Sequence, residues 1–262
     1  MERALWSGVT GMQAQELAMD TIANNLANVS TNAFKASRIN FQDMLYTVMR
    51  TPGAATSGGS SQVPDGIQIG HGTRVAEISH SFSQGALKET GRDLDLAIEG
   101  DGFFEVTQPD GTLAYTRDGS FRKTSSGQVV TTDGYQVNGF DAIDNGTTEV
   151  TIGGDGSFTT LVNGAVVTKT NVTLCRFPNP EGLRSMGRNL YVPTDASGPV
   201  ENGIIPGENG TGTLSQRFVE TSNVSVAEEL VGMIRAQRAF EANSKAIKAS
   251  DDMMSETNSL RR

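Results

Sequence analysis

His71 and Asp101 each sit between glycines, in Gly70-His71-Gly72 and Gly100-Asp101-Gly102, and both begin like a dinucleotide-binding turn. The third glycine of that fingerprint is replaced by Val75 and Glu105, neither run opens a helical pattern, and no Lys-Ser/Thr phosphate loop exists. Asp93, Asp95 and Asp101 offer oxygen ligands for calcium, yet the twelve-residue loop with its central Gly and closing Glu is missing. Nucleophilic catalysis would need a serine elbow and a positioned base. No Gly-x-Ser-x-Gly occurs, and His71 and His80 both lie in turn-like contexts. Cys175, the single cysteine, excludes an internal disulfide and any multi-cysteine metal site, and reads as a small buried hydrophobe in a strand. The expectation is a protein without cofactor, metal or catalytic residues.

Composition narrows the partners. A net charge of −9 over 262 residues disfavours nucleic acid and anionic membranes, which both require basic patches. Only 36% of the residues are hydrophobic, and no run of 18 apolar residues exists to span a bilayer. The start, Met1-Glu2-Arg3-Ala4-Leu5-Trp6, lacks a charged n-region followed by an apolar stretch. Any export is therefore expected to proceed without a cleavable signal peptide.

Glycine and proline divide the chain. Of 30 glycines, all but Gly8, Gly11 and Gly232 lie between residues 46 and 214, as do all eight prolines. Helix interiors exclude both residues, so the order helix, strand-and-loop body, helix follows. The ends are nearly neutral and the body carries nearly all the negative charge. Leu5, Met12, Met19 and Leu26 recur every seven residues, with Val9, Ile22, Ala23 and Val29 filling the adjoining turns. Val226, Met233, Phe240, Ile247 and Met254 repeat the pattern at the far end, widened by Leu230 and Ile234. A helix of about 35 residues would reach roughly 50 Å, too long for a small domain to cover. The two helices are expected to pair and then pack against copies of themselves.

The middle is punctuated by Pro109-Asp110-Gly111, Arg117-Asp118-Gly119, Thr132-Asp133-Gly134 and Gly154-Asp155-Gly156. Asp-Gly between β-prone runs predicts type I′ hairpins, whose two central residues both need positive φ. Strands are predicted near 102–107, 112–116, 128–132, 135–140, 158–162 and 172–177, followed by a loop-rich tail through 178–212. Thr51–Gly66, rich in Gly, Ser and Pro, has a linker's composition.

The amide-rich ends are the uncommon feature. Asn24, Asn25, Asn28 and Asn32 fall where the first helix should end, and asparagine both donates and accepts at such positions. Near the second helix, Ser225 with Glu228 predicts a capping box, and Arg238 is placed to meet Glu241 or its counterpart on another helix. Ala23-Asn24-Asn25-Leu26-Ala27-Asn28-Val29 with Phe34-Lys35 resembles the N-terminal signature of the flagellar rod and hook family. Ser222-Asn223-Val224, Ala227-Glu228-Glu229-Leu230 and Gln237-Arg238-Ala239-Phe240-Glu241-Ala242-Asn243 resemble its C-terminal one. Leu96-Ala97-Ile98-Glu99-Gly100-Asp101-Gly102-Phe103-Phe104 and Tyr115-Thr116-Arg117-Asp118-Gly119-Ser120-Phe121 are family-like in the body. Residues 52–72, Gly66-Ile67-Gln68-Ile69-Gly70 above all, resemble the distal-rod members rather than the hook or proximal ones. One departure is Ala33, where many relatives have glycine; alanine there is expected to disfavour positive φ.

The resemblance implies an α+β chain. Long terminal helices (1–45 and 215–262) would pair in a coiled-coil-like inner domain, 46–75 would connect, and 76–214 would form an antiparallel β-rich outer domain. It implies a structural subunit of the distal rod, not an enzyme, that polymerises helically into a rigid hollow shaft in the periplasm. Proximal rod and hook-side axial proteins, the surrounding ring and the flagellar type III export apparatus would be its partners. Self-assembly is assigned to Leu5, Met12, Met19, Asn24, Asn25, Leu26, Asn28, Phe34, Asn223, Val226, Met233, Gln237, Arg238, Phe240, Glu241, Asn243, Ile247 and Met254. A stiffening role is assigned to the segment marked by Pro52, Gly53, Pro64 and Gly66. A hook subunit is the alternative, and a secreted β-rich carbohydrate-active enzyme a remote one.

Overall fold

The computed structural model describes residues 2–51, 65–144, 146–162, 165–168 and 170–260. The fold is α+β, with α1 over Glu2–Ala27, α2 over Val226–Ser259, and antiparallel strands between them. Two compact units result. The first joins both helices to Ser37–Ser79, and the second comprises Ala27–Ala36 with His80–Val224.

In the helical unit the two helices run antiparallel. A Cβ placed on Gly8 would lie 2.7 Å from Ile247 Cγ1, one on Gly11 2.7 Å from Asn243 Nδ2, and one on Gly232 3.4 Å from Ile22 Cδ1. The buried stripe of α1 is Gly8, Gly11, Ala14, Ala18, Thr21 and Asn25, spaced three and four apart. Small side chains let the larger α2 residues settle close to the α1 backbone. The heptad of large residues is thus displaced from the centre of the seam: Leu5, Met12, Met19 and Leu26 are half-buried on its shoulder. On α2, Ala236 and Ser250 are buried at the seam, while Met233, Phe240, Ile247 and Met254 are half-buried.

The capping box does not form. Ser225 takes an extended backbone at the N-cap but makes no side-chain cap bond; its carbonyl accepts from Glu229 N instead. Four strands, Ser37–Asp43, Tyr46–Arg50, Ile67–Gly70 and Thr73–His80, follow the first helix, beginning ahead of the connecting stretch 46–75 and running past its end. Ser37–Asp43 pairs with Thr73–His80, and Tyr46–Arg50 with Ile67–Gly70. Pro52, Gly53 and Pro64 lie outside the described residues.

In the β unit, the seven-stranded sheet runs in space through Arg184–Gly187, Leu190–Val192, Leu113–Thr116, Phe104–Thr107, Gln136–Val137, Val129–Val130 and Arg122–Lys123. The stretch 178–212, expected to be loop, supplies the first two of these strands and also Glu201–Ile204, which pairs with Leu174–Arg176. Thr147–Ile152, Phe158–Val162 and Ala165–Thr168 form a separate three-stranded sheet. One core gathers Leu96, Ile98, Phe104, Val106, Phe121 and Phe158 with their aliphatic neighbours. Another stacks Phe103, Tyr115, Phe177 and Tyr191 edge to face.

The turns differ from the expected type I′. At 108–112, 131–135 and 153–157 the loop has three residues, closed by bonds such as Gly111 N to Gln108 O and Gln108 N to Thr112 O. Only the glycine, Gly111, Gly134 or Gly156, has positive φ. Asp110, Asp133 and Asp155 therefore need no left-handed backbone, and the glycine forms the bulge that closes each loop. Arg117-Asp118-Gly119 is not a hairpin at all: a Cβ on Gly119 would sit 1.7 Å from Leu96 O, so glycine here permits a backbone approach.

Candidate assembly site and buried ion cluster

Asn25 is the most deeply buried polar residue of the two helices. Only 1% exposed, its Nδ2 donates to Ser37 O and to Glu229 Oε1, both at 2.9 Å, and its Oδ1 accepts from Ser37 N at 2.9 Å. A buried amide with all these bonds fixes a register, because sliding the helices would strand it unpaired. Gln237, Arg238 and Glu241 are exposed on α2, and among the described residues Arg238 and Glu241 form no ion pair. Val226 is also exposed. Large apolar side chains remain uncovered within the chain: Trp6 is 67% exposed, and Leu17, Leu230, Val231 and Ile234 each about half.

Elsewhere, in the β unit, Phe34 and Asn223 are brought together. Asn223 Oδ1 accepts from Ala36 N at 2.8 Å, its Nδ2 donates to Ser81 O and Ser83 O, and its own N–H reaches Phe34 O. Beside them lies a cluster that sequence reasoning passed over as a site. Glu220 Oε1 accepts from Lys35 Nζ at 2.6 Å and from Gly85 N at 2.8 Å, and Glu220 Oε2 accepts from Arg117 Nε at 3.0 Å. All three side chains are essentially inaccessible to solvent. Arg117 also donates to Gly100 O and Gly102 O and lies over the Phe103 ring.

Burial alone would raise the Glu220 carboxyl, but the Arg117 and Lys35 charges and the bonds from Lys35 and Gly85 outweigh it and hold the carboxyl below its usual range. Burial, aided by Arg117, pushes the Lys35 ammonium down to about 8 from 10.5. Burial pushes Tyr191 up to about 12. These directions set a pH profile. Between about 8 and 9 the unfolded chain keeps the lysine proton that the folded one has lost, so stability rises with pH; from about 9 the Cys175 thiol, which burial pushes up to about 12, ionises first in the unfolded chain and offsets that rise. Above about 10 the buried Tyr115 and Tyr191, both pushed up to about 12, turn the trend downward, because the unfolded chain ionises first. At the acid end, stability falls as the depressed Glu220 carboxyl finally takes a proton. Thermal melts from pH 7 to 9 should show the alkaline rise, and Lys35→Met should abolish it.

Ala33 shows the local strain that this arrangement tolerates. It is 1% exposed and adopts φ +53°, the left-handed backbone expected of glycine, with its N–H donating to Glu220 O at 2.8 Å. A left-handed alanine costs roughly 1 kcal/mol, so Ala33→Gly is expected to change stability by no more than about 1 kcal/mol in denaturant melts, strain relief opposing lost entropy.

Three family descriptions match this sequence. Residues 5–35 match "Flagella basal body rod protein", 97–160 "Flagellar hook protein FlgE/F/G D1 domain", and 215–260 "Flagellar basal body rod FlgEFG protein C-terminal". A flagellar basal-body rod protein FlgG from Buchnera aphidicola of Schizaphis graminum is 46% identical over 98% of this chain and 99% of its own length. The chain belongs to the flagellar basal-body rod family. A FlgG from Borreliella burgdorferi is 43% identical over the whole of both chains. The flagellar hook protein FlgE of Helicobacter mustelae is a partial match, 43% identical over 53% of this chain and 31% of the hook protein. In this rod-family chain the two terminal family matches contain most of α1, Lys35 and all of α2, and the hook-type domain match contains Arg117. Among the described residues no group of His, Cys, Asp and Glu is placed to hold a metal ion, and no helix is long and apolar enough to cross a membrane.

Proposed function

We propose that this chain works as the structural subunit of the flagellar distal rod, polymerising helically into a hollow, rigid shaft that carries torque from motor to hook. The full-length likeness to FlgG proteins supports the distal-rod assignment over the hook, which matches half of the chain. The observation that carries self-assembly is the apolar surface that the helix pair leaves bare, Trp6, Leu17, Val226, Leu230, Val231 and Ile234. Monomers that expose so many large apolar residues on two helices gain most by covering them with further copies. Gln237, Arg238 and Glu241, exposed beside them, supply polar contacts to the same neighbours. Proximal rod and hook-side axial proteins would continue the stack at either end, and the ring would surround the acidic β unit. Such a shaft needs many repeated contacts and no catalytic group. Its setting is the periplasm, reached through the flagellar type III channel.

Hydrogen exchange on dilute monomer tests the assembly reading. Protection should be weak in 5–29 and 226–254 and strong in 96–177, and the helices should gain protection on assembly. Equal protection of both regions in a verified monomer would refute it. The stiffening role of 51–66 is tested by deleting 52–64. The sixteen residues 51–66 could extend about 50 Å, enough to reach a neighbouring subunit and oppose the sliding that bending requires. The deleted chain is expected to polymerise into rods that curve; straight rods would return the segment to a plain linker.

A further inference from the structure

We propose that the Lys35–Glu220–Arg117 cluster is a registry lock, which selects one arrangement of residues 33–36 against 83–85 and 220 at a net cost in stability. The asymmetry of the cluster carries the inference. Glu220 is already served without Lys35: Arg117 Nε bonds one carboxylate oxygen and Gly85 N the other. Lys35 adds a second buried cation, and its Nζ finds two acceptors, Glu220 Oε1 and Ser83 O, for the three N–H bonds of an ammonium. An apolar side chain of similar length would fill the same space without desolvating a charge, and such replacements are commonly neutral or stabilising.

What Lys35 supplies is direction. Nζ must meet Ser83 O at 2.8 Å and Glu220 Oε1 at 2.6 Å together, and these belong to two segments more than 130 residues apart in sequence, as the 135-residue separation of Gly85 from Glu220 illustrates. A hydrophobic contact has no such requirement and tolerates slippage. Something on this path needs holding. Ala33, in left-handed backbone, gains by relaxing, and strained residues persist only where their surroundings over-determine them. Its N–H bond to Glu220 O and the bond from Ala36 N to Asn223 Oδ1 are the first that relaxation would break.

The test is Lys35→Met in the full-length chain, read by thermal melting and by amide exchange on soluble monomer. Neither measurement involves polymerisation, so its failure is separable from failure of the rod reading. The lock predicts a melting temperature equal to or above that of the unaltered chain. It also predicts exchange at Ala33 and Ala36 faster by about tenfold or more, with Phe104–Thr107 and Leu113–Thr116 unchanged within about twofold. A lower melting temperature, or a variant that does not fold, would make Lys35 an ordinary stabilising partner and overturn the proposal. Unchanged exchange at Ala33 and Ala36 would overturn it equally.

Discussion

Replacing Glu220 by glutamine is expected to destabilise the β unit by about 3–5 kcal/mol, because it leaves two buried cations facing one neutral amide. For a unit of this size that corresponds to a fall in melting temperature of roughly 10 °C or more. The size of the effect follows from position. Glu220 has no solvent-exposed side chain, and its two oxygens accept from Lys35, Gly85 and Arg117. A surface ion pair of the same geometry would contribute about 0–1 kcal/mol and would be screened by salt. The loss on substitution should therefore be nearly insensitive to salt. A loss below about 1 kcal/mol would mean that water reaches the cluster.

The second large effect lies in the helix seam. Gly8→Leu with Gly11→Leu is expected to abolish assembly while the β unit still melts normally. Each substitution improves local helix propensity by about 0.8 kcal/mol. Each also drives a side chain into Ile247 or Asn243, where even a Cβ would come within 2.7 Å. Overpacking of this kind costs about 1–3 kcal/mol per site, which outweighs the propensity gain and recurs in every subunit. Sedimentation and circular dichroism separate the outcomes. Normal polymers from the double variant would show that α1 and α2 do not need this close approach.

Much of this architecture was legible in the residues. Heptads at both ends and the confinement of Gly and Pro to the middle gave both helices, since these patterns report one buried face and the absence of helix breakers. Which residues lie at the centre of the seam was less legible. Leu5 and Met12 draw the eye by hydrophobicity, yet Gly8 and Gly11 occupy the closest approach, because a hydrophobic pattern does not report how near two backbones come. The strands Ser37–Asp43 and Tyr46–Arg50 were missed for a different reason. They are largely exposed, so no apolar alternation marks a face. The ion cluster was hidden by distance, since Lys35 and Glu220 are 185 residues apart and Arg117 and Glu220 are 103. Periodicity describes single elements and says nothing about which charge meets which across the fold.

Electron cryomicroscopy of basal bodies from cells in which this chain replaces the native distal rod subunit tests the central claim most directly. The account predicts a straight rod of normal length built from this chain. Absence of a rod beyond its proximal part, or density for this chain in the curved hook instead, would contradict it.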